Sequence, residues 1–450
     1  MIKTAITGNW RFAVYTLIAI IYYLICYATP RDHTSQLIAL YAIIFLFYLA
    51  VIKWQNSDQL IREGIWFSIG IRVLILFSTP NLSDDFYRFI WDGNLINNDI
   101  NPFTATPEII NHLQNGNYHI TGLSEHLYSL LNSKQYYSVY PPVCQAAFGF
   151  TAKIAGGDIY LNIILLKFLI LLFETGTILI LIRLLNLLNI SKRNILIYAA
   201  NPLIIIELCG NIHFEAAMIF FLTASFYFLS KRKDIYAAIL FGLAISSKLL
   251  PLIFLPLLFK YIGFKRTIIF SGIAGCITVL TFLPFLDAAM LQNMGTSLNL
   301  YFNEFEYNAS LYYLGKFIGG WNDAEVKMLL QQLLPIITFL SIIALSIYYR
   351  KERFYKACLG ALVIYFFCST TIHPWYISIL VLFAAIAGYR FVIYWTGLII
   401  LTYITYRTKL NLENYYLIAL EYLSVISILI YEFNRDKQIS NKLPAETMNS

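Results

Sequence analysis

The chain has 450 residues, of which 59% are hydrophobic and 13% charged, with 34 Phe, 34 Tyr and a net charge of +7. A soluble domain carries roughly 25% charged residues, which excludes an ordinary soluble globular protein. Apolar runs of membrane-span length, in place of alternating ten-residue segments, also exclude a transmembrane β-barrel.

The expected architecture is an all-α polytopic integral membrane protein. Spans are predicted near 11–28, 36–53, 63–80, 159–185, 194–209, 213–230, 235–248, 249–263, 266–286, 329–349, 355–371, 374–388, 391–406 and 415–432. Several of these about fourteen segments are short for a full crossing, which gives a range of about 11–14 transmembrane helices. Pro251 and Pro256 interrupt helical hydrogen bonding, so 235–263 reads as one broken hairpin. Lys3 and Arg11 precede the first run, and no small-residue cleavage site follows it, so it reads as an uncleaved helix.

Basic clusters set the orientation. "SKRN" (191–194), "SKRKD" (230–234), "KYIGFKR" (260–266) and "YYRKERFYK" (348–356) fall on one side of this segmentation, which makes that side cytoplasmic. Arg31, Arg407 and Lys409 run against this bias. The clusters account for the net charge without any nucleic-acid partner. The domain organisation is then a transmembrane body over 1–433, with two extracytoplasmic loops at 81–158 and 287–328. A polar cytoplasmic tail, 434–450, is expected to be disordered. The six cysteines (Cys26, Cys144, Cys209, Cys276, Cys358 and Cys368) are scattered, with no CxxC pair and no disulfide framework.

The first loop opens with "SDDFYRFIWDGN" and over 81–135 holds six carboxylates against two cations, Arg88 and Lys134. Asp84, Arg88 and Asp92 are spaced i,i+4, compatible with ion pairing on a surface helix. Phe86, Phe89 and Trp91 interleave, so that helix is expected to lie in the interface with its rings in lipid. "YYSVYPPVCQ" brings Tyr140 and a stiff Pro-Pro turn. "NPLIIIELCGNIHFEAAMIFF" places Asn201, Glu207, Asn211, His213 and Glu215 around an outward turn. "ISSKLLPLIFLP" places Lys248 where a helix meets the outer leaflet, and "STTIHPWYI" places His373 at another outward turn.

Each residue has an ordinary alternative: Lys248 can snorkel to headgroups, and the histidines can simply end helices. Ionisable groups near spans are nevertheless costly and usually functional, and these segments bring theirs to one membrane face.

The set "SDDFYRFIWDG...NPF", "YPPV", "NPLIIIE..GN.H.E", "KLLPLIFLP" and "HPWY", covering about 80–377, resembles the GT-C superfamily of polyprenyl-phosphate-sugar-dependent glycosyltransferases, in particular bacterial mannosyltransferases. Two additional spans precede the acidic motif here, a departure from many members. The resemblance implies a GT-C-type helix bundle, with interfacial helices in the first large loop. It also implies an extracytoplasmic active site in which Asp84 or Asp85 is the base; which of the two stays open.

The chemistry agrees. An inverting transfer needs a carboxylate near the acceptor hydroxyl and cationic or donor partners for the departing lipid phosphate. Lys248 suits a point-charge contact and Arg88 a bidentate one, with Asp92, Tyr140, Glu207, His213, Glu215 and His373 as further substrate-binding candidates. The expected partners are a polyprenyl-phosphate-linked hexose, mannose foremost, a lipid or glycan acceptor, and the bilayer. No cofactor is expected; a divalent cation on the paired carboxylates is the less favoured option. A lipid-linked oligosaccharide flippase would instead spread ionisable groups through the midplane. A surface-polysaccharide polymerase or ligase would share the lipid-phosphate chemistry with a different large-loop signature.

Overall fold

The computed structural model describes residues 8–54, 57–115, 120–303 and 305–442. Among them the fold is helical throughout, with no strand beyond one isolated bridge between Tyr307 and Thr371. The protein is an all-α polytopic membrane protein.

Three helices precede the acidic motif: α1 (Gly8–Ala28), α2 (Thr34–Trp54) and α3 (Asp58–Leu74). The first loop then folds into α4 (Asp85–Asn97), α5 (Pro107–Asn115), α6 (Glu125–Leu130) and α7 (Pro142–Ala155). The long α8 (Ile159–Leu187) crosses next. It is followed by α9 (Ile195–Ala199), which leads into a π-helical turn, Ile204–Gly210. The body continues with α10 (Glu215–Ser230), α11 (Asp234–Ile245), α12 (Leu255–Ile262) and α13 (Phe264–Phe282). Helices α14 (Ala288–Asn303) and α15 (Leu311–Gly319) form the second loop. The chain ends with α16 (Ala324–Tyr348), α17 (Phe354–Cys368), α18 (Ser378–Ala387), α19 (Phe391–Leu398) and α20 (Tyr415–Lys442).

Every predicted span falls largely on helix, but among the described residues six helices are individually long and apolar enough to cross, or seven if the bent segment 192–210 counts as one. The shorter apolar helices, α10 and α11 among them, lie against longer neighbours instead of standing alone in lipid. The expected broken hairpin is resolved as α11, a 3-10 turn over Leu250–Phe254 and α12, with Pro251 and Pro256 each in a first turn where no N–H is needed. The tail expected from 434 begins as helix: α20 continues to Lys442, and Asp436 takes Lys356 Nζ at 2.7 Å. That ion pair gives the polar turn a tertiary partner that composition alone does not reveal.

The break in 192–210 organises the interior. Its two halves bend by 54°. Apolar surroundings cannot hydrate the carbonyls such a break frees, so side chains must take them. Tyr48 donates to Ile197 O (2.8 Å) and Arg72 Nη1 donates to Ala199 O (2.8 Å) and Ser68 O (3.0 Å). Asn201 donates to Tyr48 Oη and Thr396 Oγ1 and accepts from Leu203 N.

The Arg72 guanidinium is balanced by Glu174 on α8, 3.0 Å away, with both side chains wholly buried; Tyr198 Oη also donates to Glu174. Nearby, buried Lys167 donates to Ile75 O and Ser78 Oγ, closing the end of α3. These three ionisable groups lie inside the bundle. The expectation that charges gather only at one face is therefore incomplete, although each interior charge is held by named partners.

Removing one member of a buried ion pair strands the other, at about 3–5 kcal/mol. Arg72→Met or Glu174→Leu alone is expected to lower the unfolding midpoint in detergent sharply. The double substitution should recover part of the loss, because the stranded charge is gone, and part should persist, because Ala199 O remains uncapped.

Candidate functional site

The acidic segment is fastened before α4 begins. Asn81 Nδ2 donates to Ile25 O (2.9 Å) and to Thr29 O, tying the segment to the end of α1. Leu82 N donates to Asn211 Oδ1 (3.1 Å), while Asn211 Nδ2 donates to Ile206 O. One asparagine thus joins the acidic motif to the turn that carries His213.

Asp84 sits at the N-cap of α4 without a side-chain capping bond, and Asp85 opens the first turn, where a carboxylate is favoured by the helix dipole. The helix stops at Asn98, with Asp99 in the left-handed region (φ 55°). Gly93 lets α4 approach α7, since a methyl group there would overlap the Phe148 carbonyl.

The expected Asp84–Arg88 pair is absent. Arg31, whose position runs against the charge bias, takes Asp84 at 2.6 Å and lies over the Tyr406 ring at 4.9 Å. Arg88 pairs with Asp92 at 2.7 Å, and its Nη1 donates to Ser133 O and Tyr136 O. Asp92 also accepts from Ser138 and Gln145. Arg88 and Asp92 are buried and fasten 133–138 onto α4, so they serve as scaffold in this geometry.

The aromatic residues of α4 also sit elsewhere than expected. Phe86, Phe89 and Trp91 are buried in protein, because α7 and the 131–138 segment cover α4. Tyr140 packs edge-on against Phe89 with centroids 4.8 Å apart.

Asp85 is left without a cation in contact. It accepts from Asn132 Nδ2 at 3.1 Å. Burial raises its carboxyl above the ordinary aspartate value; Asp84 and Glu215 add to the rise, while His213 and the Asn132 bond oppose it.

Beside it the broken span delivers Glu207 in the π-helical turn, then Ile212 at φ 59° and His213. A β-branched residue in the left-handed region is strained, of order 1–3 kcal/mol, so the surrounding packing must hold it there. Glu207 accepts from Tyr403 Oη (2.8 Å), and its Oε2 lies 3.5 Å from His213 Nε2. Neither of those last two atoms has a hydrogen-bond partner among the described residues.

Four rings then stack in series. His213 lies on Trp375 (3.9 Å, 10°), Trp375 on His373 (4.5 Å, 1°), and His373 on Tyr307 (4.7 Å, 27°). Tyr307 comes from the second loop, which the bridge at Tyr307 and Thr371 holds in place: Tyr307 N donates to Thr370 O and Ile372 N to Tyr307 O. Burial, with His213 and Lys248 nearby, lowers the His373 imidazole to about 3. It is therefore neutral and offers at most one N–H donor, without charge.

Lys248 follows α11 and pairs with Glu215 in the first turn of α10. Its ammonium lies over the Tyr376 ring at 4.1 Å. Glu207, His213, Glu215, Lys248 and His373 are thus brought together with Asp85 at one end of the bundle. Arg31, Asn132, Tyr307, Trp375 and Tyr403 were not singled out as site residues, and Asn211 only as one of the polar residues of the outward turn. Arg31 carried a signal in its misplaced charge, and Trp375 in "HPWY"; the others are polar or aromatic residues of common type in apolar or loop sequence.

Residues 38–262, half of the chain, match the family model for the N-terminal domain of the alpha-(1->6)-mannopyranosyltransferases (MptA/B). No curated protein matches the chain. The matched span includes Asp84, Asp85, Glu207, His213, Glu215 and Lys248; His373 and Trp375 lie beyond it.

Replacing Asn211 by Leu leaves the buried Leu82 N–H unpaired, at about 1–3 kcal/mol. The variant should unfold at lower temperature and lose transfer activity out of proportion to that shift, because both the acidic motif and the His213 turn lose their shared tether. Asn211→Asp keeps the acceptor for Leu82 N but loses the donor to Ile206 O and buries a charge, so it should recover only a small part of the activity.

Proposed function

The chain belongs to the MptA/B family of alpha-(1->6)-mannopyranosyltransferases, and from that premise we propose that it moves a hexose, mannose foremost, from a polyprenyl-phosphate donor to an extracytoplasmic lipid or glycan acceptor. The observation that carries this reading is the convergence of an uncompensated carboxylate, Asp85, with the Lys248–Glu215 pair and the His213–Trp375–His373 stack at one end of a membrane bundle. The basic clusters lie at the other end of the predicted segmentation, which makes the site-bearing face extracytoplasmic in this proposal. The likeness of the motifs to the GT-C superfamily belongs to the same reading.

In the proposed reaction Asp85 takes the proton of the acceptor hydroxyl as that oxygen attacks the anomeric carbon from the side opposite the phosphate. The new glycosidic bond forms as the carbon–phosphate-oxygen bond breaks, and the polyprenyl phosphate leaves with the electron pair. A raised carboxyl is a better base than an ordinary aspartate. Asp84, held by Arg31, is poorly placed to share this role. Lys248 exchanges Glu215 for the donor phosphate and offsets its growing negative charge. We assign charge compensation to Lys248 and not to a divalent cation.

Purified protein supplied with polyprenyl-phospho-mannose and candidate acceptors tests this directly. General-base loss costs about 10²–10⁴-fold, so Asp85→Asn should fall in that range and Asp84→Asn by much less; full transfer in both variants sinks the assignment. Lys248→Ala should weaken donor use, and chelation by EDTA should leave the rate intact.

The pH profile carries a second expectation. Only the ionised Asp85 accepts a proton, so kcat/KM should climb with pH through a limb displaced above the ordinary aspartate range, and that limb should vanish in Asp85→Asn.

A further inference from the structure

Arg31 stands in the turn between α1 and α2, outside the stretch 38–262 matched to the family. Its position is fixed from two sides. Asn81 Nδ2 donates to Ile25 O and Thr29 O, so the acidic segment is bound to the very turn from which Arg31 emerges. Thr29 is itself held, donating to Leu24 O (2.8 Å) and accepting from Gln36 Nε2 (2.9 Å). Tyr406, from the 3-10 stretch Ile399–Arg407, closes the other side with its ring centre 4.9 Å from the guanidinium carbon. Within that frame Arg31 Nη2 meets Asp84 Oδ2 at 2.6 Å.

We propose that Arg31 is a positioning residue for the transfer: it compensates the charge of Asp84 and so leaves Asp85 as the one carboxylate of the pair that takes the acceptor's proton. This role rests on the reaction proposed above and decides which aspartate serves it. No bond to Arg31 forms or breaks; the proton passes from the acceptor hydroxyl to Asp85 as before.

Two adjacent uncompensated carboxylates disfavour each other's ionisation and share a proton between them. With Asp84 compensated, Asp85 answers mainly to its other neighbours. Asn132 donates to it from the first loop, and His213 and Glu215 act on it from the turn before α10 and from that helix's first turn. Tyr406 lies within electrostatic reach of Arg31, Asp84 and Asp85 alike. Asp32, His33 and Arg407, next to Arg31 and Tyr406 in the chain, are exposed, where water and salt screen them.

The side chains of Arg31 and Asp84 are 33% and 37% exposed, so the effect is to be read at low ionic strength and should shrink in added salt. The full chain in nanodiscs, supplied with polyprenyl-phospho-mannose and an alkyl α-mannoside acceptor, gives the pH profile of kcat/KM. Arg31→Gln leaves Asp84 uncompensated and disfavours ionised Asp85, so the rising limb should move up by about half a pH unit. Asp84→Asn leaves Arg31 uncompensated and favours ionised Asp85, so the limb should move down. The double variant should return it to its original place, and Arg31→Lys, which keeps the charge, should leave it there. The same shifts should appear without substrate in the infrared carboxyl band that Asp85→Asn removes.

A residue that only braced the α1–α2 turn would lower kcat/KM equally at every pH. A fixed limb and band in Arg31→Gln, or shifts of the same sign in both single variants, therefore overturns the proposal. Asp85→Asn separates it from the reaction itself. Transfer that survives Asp85→Asn sinks the base assignment; transfer lost there, with limbs unmoved in the Arg31 and Asp84 variants, sinks only the role of Arg31.

Discussion

A helix that breaks inside an apolar bundle must find partners for the backbone groups it frees, and the rest of this molecule is arranged around that requirement. The break between α9 and the π-helical turn is tolerated because Arg72, Tyr48 and Asn201 reach its carbonyls and amides from α3, α2 and the turn itself. Arg72 in turn needs Glu174, and Glu174 needs α8 close to α3. The price of one irregular turn is thus a charged pair wholly removed from water. A continuous apolar helix would have needed no such pair, but it would have left the turn that carries His213 differently aimed.

What the break delivers is the site. The π-helical turn widens the helix just where Glu207 enters, and the strained Ile212 swings His213 toward Trp375. Asn211 passes the same placement to the acidic motif through Leu82. Asp85, Glu207 and His213 therefore owe their spacing to one short backbone irregularity and one amide side chain. Lys248 and His373 arrive on independent elements, yet Glu215 and the ring stack draw both to this turn. Among the described residues Glu207 Oε2, His213 Nε2 and His373 Nδ1 have no hydrogen-bond partner, as is true of buried atoms elsewhere such as Asn162 Oδ1 and Ser378 Oγ.

Much of this was legible in the sequence because hydrophobicity and charge are written along the chain. The positions of the apolar helices followed from apolar run lengths, and the basic clusters pointed to one common end of the bundle for Asp85, His213, Glu215, Lys248 and His373. Pairing was less legible. Spacing suggested Arg88 for Asp84, whereas the partner is Arg31, 53 residues earlier and separated by two helices. Periodicity also put Phe86 and Trp91 in lipid, because an amphipathic helix covered by protein and one lying in an interface have the same pattern. Arg72, Glu174 and Lys167 passed unnoticed inside apolar runs, since a single charge does not interrupt a hydropathy window. Their significance appears only when helices distant in sequence are seen side by side.

The ring stack has a consequence for how such a chain can diverge. His213 belongs to the first half of the molecule, while Trp375, His373 and Tyr307 come from the second, beyond the portion matched to the family. The two halves are therefore not interchangeable modules. A hybrid joining the acidic half of one relative to the aromatic half of another would keep every residue type and still lose the contact plane between them. Any lengthening of the second loop would have to preserve the register of Tyr307 against Thr371 before it altered anything else.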